Sequence, residues 1–127
     1  MPVLYAQTSG TQQTSSGQFV AIPGLSLTLP EGVGVATLVI LNLPNPYAKG
    51  NDFPGGTLGI SVGGTVSPVQ ATFTYNEQSP QSTGRMPTTL VVSVPLGPKP
   101  QTVQGMWYGV RGSNVIIDSP ASLSAIF

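Results

Sequence analysis

Glycine and proline interrupt this chain so often that no window keeps apolar residues at helical spacing for three turns. Sixteen glycines and thirteen prolines are spread through 127 residues, with runs of Val, Ile, Leu and Thr between them. Glycine gives up backbone order and proline gives up a hydrogen-bond donor, so each ends a helix that begins near it. Short extended runs between turn residues are the pattern of an all-β domain. Candidate strands are QFVAI, LSLTL, GVATLVILNL, GTLGISV, VQATFTY, TTLVVSV, TVQGMWYGV, NVIID and SLSAIF.

Side-chain alternation assigns faces to several of these runs. Leu25, Leu27 and Leu29 share one face of LSLTL, opposite Ser26 and Thr28. Ala71, Phe73 and Tyr75 oppose Thr72 and Thr74. From Ala36 to Leu43 nearly every residue is apolar, the pattern of a strand covered on both faces by its own chain or by another subunit. Trp107 reads as core, and Tyr108, Ile116, Ile126 and Phe127 add apolar mass near the end.

At this length residues 1–127 form a single domain, with residues 1–18 an irregular arm or an edge strand. About nine short strands fit a jelly-roll or an immunoglobulin-like sandwich. The Cys, Trp, Cys spacing of immunoglobulin domains is missing, because the chain has no cysteine.

Charge narrows the partners. Four basic and four acidic residues give a formal net charge of zero, which supplies no field to steer nucleic acid or an anionic membrane. No apolar run approaches a membrane span, so membrane insertion is not expected. Without charge repulsion between copies, burial of surface in a defined oligomer is expected. The N-terminus lacks the basic start and apolar core of a secretory signal, so the chain is expected to be made in the cytoplasm and to reach the cell surface or exterior by another route.

The chemistry on offer is sparse. Neither histidine nor cysteine is present, which removes imidazole bases, thiolate nucleophiles and most zinc or copper ligands. Glu31, Asp52, Glu77 and Asp118 lie in four separate segments, too scattered to read as a glycosidase pair or a calcium loop. No enzymatic activity, metal or cofactor is therefore expected. What remains is recognition of a neutral, polar ligand. Arginine donates in a planar fork to vicinal hydroxyls, Ser and Thr donate or accept, and a tyrosine ring covers an apolar C–H face. SPQSTGRMP places Ser82, Thr83 and Arg85 together, Arg111 follows MWYGV, and Tyr47 and Tyr75 stand at loop or strand ends. Each has a plainer reading: turn capping for Ser82 and Thr83, ion pairs with Asp118 or Asp52 for the arginines, half-buried core for the tyrosines.

LPNPYAKGNDFPG, FTYNEQSPQSTGRMPTTLV and GMWYGVRGSNVIIDSPASLSAIF resemble the TNF-like fucose-binding lectin domain at the N-terminus of a two-domain soluble lectin of Burkholderia. The resemblance runs from about Ile22 to the last residue. It implies a TNF-like jelly-roll sandwich assembled as a homotrimer, with metal-free sites between subunits for L-fucose and for fucosylated oligosaccharides of the histo-blood-group or Lewis type. By the resemblance, Tyr47, Ser82, Thr83 and Arg85 come from one subunit, and Thr74, Tyr75 and Arg111 from its neighbour. At one position this chain departs, with Thr57 where the family has a tyrosine, which would shift glycan preference. Thr74 and Tyr75 are adjacent, so if both serve one site the strand must end or bulge there. The alternative is a structural or receptor-binding TNF/C1q-like jelly-roll trimer without sugar binding, its arginines held in ion pairs.

Overall fold

The computed structural model describes residues 2–127, and among them it is all-β. The strands are β1 (Val3–Gln7), β2 (Gln12–Thr14), β3 (Val20–Leu29), β4 (Ala36–Leu43), β5 (Pro46–Lys49), β6 (Gly55–Val62), β7 (Thr65–Val66), β8 (Ala71–Thr74), β9 (Thr88–Pro95), β10 (Gln101–Val110), β11 (Asn114–Ile117) and β12 (Ser122–Ile126). One sheet has the order β1-β12-β4-β9. A second runs β3-β10-β6-β7, with β8 also paired to β6, and a small third sheet runs β2-β11-β5. All pairings are antiparallel. Because β3, β4, β6, β9, β10 and β12 alternate between the two larger sheets, the chain crosses at nearly every step. This is the winding of a jelly-roll sandwich.

The core lies between the two larger sheets and is built from the faces that alternation assigns. Leu25, Leu27 and Leu29 of β3 are buried, while Ser26 and Thr28 are exposed. Trp107 of β10, Leu58 and Ile60 of β6 and Leu123 of β12 complete it.

Three readings of the sequence change. QFVAI and LSLTL belong to one continuous strand, because Pro23 and Gly24 sit in an irregularity of the β3–β10 ladder and do not break it. The register steps from Gln104↔Ser26 to Met106↔Ala21, and Gly24 takes φ 88°, a conformation that suits glycine. The stretch PYAK, absent from the candidate strands, is strand β5, paired with β11. Strand β4 is not covered twice by its own chain: Val39, Leu41 and Leu43 are buried, but Leu38 on the other face is 46% exposed. Residues 2–18 carry β1 and β2, each at the edge of its sheet.

Candidate functional site

Strand pairing around Pro46 assembles the first cluster. Pro46 lies opposite Ile117 in the β5–β11 ladder, and its carbonyl accepts the Met86 amide at 2.8 Å. Tyr47, Asp118 and Arg85 are the chain neighbours of Pro46, Ile117 and Met86, and these contacts bring their side chains together. The Arg85 guanidinium lies 3.9 Å from the centroid of the Tyr47 ring. Its Nη2 donates to Asp118 Oδ2 at 2.8 Å. The two ion-paired side chains remain 43% and 35% exposed, so water screens the pair and its contribution to stability is about 0.2–1 kcal/mol. Its stronger effect is on pose. Arginine carries five N–H donors in a rigid fork, so one bond to Asp118 leaves others able to donate.

Tyr75 closes the cluster from below. Its hydroxyl donates to the Gly84 carbonyl at 2.6 Å, and the Ala48 amide reaches the same oxygen at 3.4 Å. This ties loop 76–87 to β5, and two further bonds tie it to the segment before β6: Phe53 N–H to the Gln78 carbonyl, and Ser79 Oγ to the Asn51 carbonyl. Burial pushes the Tyr75 phenol above its usual value; the Ala48 amide, the Thr83 side chain and the Arg85 charge oppose that shift. Ser82 is exposed on the same loop, and Thr83 is half-buried.

The second cluster stands at the ends of β10, β6 and β8. Val110, Gly55 and Thr74 lie side by side across these strands, so Arg111 follows on one flank and exposed Thr74 stands on the other. Close backbone approach makes this end possible. A Cβ on Gly109 would fall 2.0 Å from the Ser113 carbonyl oxygen, and one on Gly55 would fall 2.0 Å from that of Phe73. Arg111 itself takes φ 50° in the β10–β11 turn. Its Nε donates to the Asp52 carbonyl at 2.9 Å and its Nη2 to the Phe53 carbonyl. Phe53 also has positive φ, at 46°. Two non-glycine residues in this strained region brace each other, a feature that concentrates at functional sites.

Of the residues singled out in the sequence, Tyr47, Thr83, Arg85 and Tyr75 meet within one chain. The Thr74–Tyr75 tension resolves because β8 ends at Thr74, and the chain turns so that Tyr75 joins the Tyr47 cluster while Thr74 stays with Arg111. Thr57 lies apart from both clusters. It is 1% exposed within β6, opposite Tyr108, and its hydroxyl is 2.8 Å from that of Thr72. Asp118 enters the first cluster as the ion-pair partner that the plainer reading of Arg85 named. Among the described residues, no three acidic side chains converge in the manner of a metal site.

A jelly-roll sandwich that carries an arginine over a tyrosine ring, with the Ser82 and Thr83 hydroxyls on the same loop, is the class of protein these features define. The family model of the Bc2l-C N-terminal domain matches residues 9–126, and the chain belongs to that family. It is the family that the FTY, STGR and VRGS motifs resembled. Among solved structures, the Eiger TNF from S. frugiperda matches with 12% sequence identity and a TM-score of 0.42, over 98% of this chain and 92% of that chain. No curated protein matches the chain.

Proposed function

We propose that this protein is a metal-independent lectin that binds L-fucose and fucosylated glycans at sites completed between the subunits of a homotrimer. The observation that carries the reading is the Arg85 guanidinium held over Tyr47, with N–H groups left to donate and with Ser82 and Thr83 on the same loop. Hydroxyl donors and acceptors around a planar fork suit a neutral polyol, and the family membership agrees. Support for the trimer comes from the outer face of the β1-β12-β4-β9 sheet. Val3, Tyr5, Leu38 and Val91 are 58%, 61%, 46% and 50% exposed there, a row of apolar side chains that a neighbouring subunit would cover. Three sites on one trimer would add avidity on a glycan-coated surface.

A second reading, a structural or receptor-binding trimer without sugar binding, draws on the Arg85–Asp118 pair, since an arginine already paired needs no ligand. Calorimetric titration with L-fucose, on protein whose mass is checked by light scattering, separates the two. Shallow monosaccharide sites bind with Kd of about millimolar to micromolar, roughly 4 to 8 kcal/mol. Heat with one site per chain on a trimer is expected, and a silent titration at millimolar fucose would sink the lectin reading. An aryl fucoside is expected to remain uncleaved.

A further inference from the structure

Arg85 is held by two side chains from other segments, and they act on it differently. Tyr47 offers a ring face, which fixes the plane of the guanidinium and leaves its charge intact. Asp118 offers a carboxylate oxygen at 2.8 Å, which fixes the rotation of the guanidinium in that plane and opposes its charge. An isolated arginine on a protein surface is a carboxylate and phosphate binder, because its fork matches those anions two oxygens at a time. With Asp118 on one edge the fork is partly filled, and an incoming anion meets a second negative charge. A sugar hydroxyl meets no such penalty, since it accepts from the remaining N–H groups as a neutral dipole.

We propose that Asp118 is the positioning and charge-compensating residue of this site: it sets the rotation of Arg85 across the Tyr47 ring and restricts the site to uncharged ligands. The proposal rests on the sugar-binding reading for its ligand, but its effect on Arg85 is measurable without one. Asp118 directly follows β11 and its side chain is partly exposed, so its replacement is expected to leave the fold intact.

The experiment compares wild type, Asp118→Ala and Asp118→Asn at matched melting temperature and solution mass. Only two arginines are present, Arg85 and Arg111, so two Nε–H resonances report on them, and Arg85→Lys assigns the pair. In ligand-free wild type the Arg85 resonance should carry the ring-current shift of Tyr47. Asp118→Ala should lose it, and Asp118→Asn, whose amide oxygen still accepts from Arg85, should keep most of it. L-Fucose affinity should fall about tenfold in Asp118→Ala, the scale of a lost hydrogen bond to a charged group, and largely recover in Asp118→Asn. Inorganic phosphate should move the Arg85 resonance in both variants and not in wild type. Unchanged Arg85 resonance and unchanged fucose affinity in Asp118→Ala would overturn the proposal and leave the lectin reading standing. Absence of fucose binding in wild type, with the resonance shift and phosphate response following Asp118 as expected, would remove the lectin reading while supporting Asp118's control of Arg85.

Discussion

The two arginines are anchored by opposite means. Arg85 sits in the irregular loop 76–87 and is placed by side chains, a tyrosine ring at 3.9 Å and a carboxylate at 2.8 Å. Arg111 sits in a tight turn at φ 50° and is placed by main-chain carbonyls of Asp52 and Phe53. Side-chain anchors can be exchanged without disturbing the backbone, whereas main-chain anchors bind the residue to the fold itself. Arg85 is thus a group a ligand can recruit at little structural cost. Arg111 spends its donors bracing the 52–53 loop, and any ligand contact it makes is shared with that task.

The largest expected effect is on the turn that carries Arg111. Gly109→Ala sets a methyl against the Ser113 carbonyl and should cost about 3 kcal/mol or more, read as a fall in the urea midpoint. A normal midpoint would mean that main-chain approach does not hold this end. Next comes Arg85→Ala, which should lower fucose affinity at least a hundredfold while the melting temperature falls by no more than about 4 °C, because the screened ion pair adds little stability. Trimer dissociation in this variant would favour the structural reading.

Arg111→Ala should cost about 1 kcal/mol of stability from the lost carbonyl bonds, more than Arg85→Ala, and a reversed order would break the contrast. The smallest effect is on Tyr75. Its folded pKa lies above the usual 10.0, so the neutral phenol is favoured by folding. That contribution is complete below about pH 10 and is lost as pH rises through the folded value, where the unfolded chain releases its proton first. Wild type should therefore lose stability relative to Tyr75→Phe across that alkaline window, measured by urea midpoints.

Much of the sandwich was legible because its signals are local. The leucines of LSLTL and the buried Trp107 follow from a side-chain period of two and from residue type, whereas the exposed face of β4 does not, because its residues are apolar on both sides. The continuity of β3 across Pro23 and Gly24 was not legible, since a bulge depends on what the partner strand tolerates, here Gly105 between Gln104 and Met106. Thr57 illustrates the same limit: its residue type admits exposure or burial, and its neighbours Thr72 and Tyr108 on adjacent strands decide for burial.

By itself, then, the sequence determined the all-β class, the core faces, the absence of histidine and cysteine chemistry, and the residue types a neutral-ligand site requires. The tertiary structure alone decided that Arg85 lies between Tyr47 and an aspartate 33 residues away, and that Tyr75 and Thr74 part company at a strand end. The reason is physical: alternation and turn chemistry act between residues that are neighbours in the chain. A binding cluster depends on the register in which distant strands pair, and here that register is read at Pro46, where Ile117 and Met86 meet.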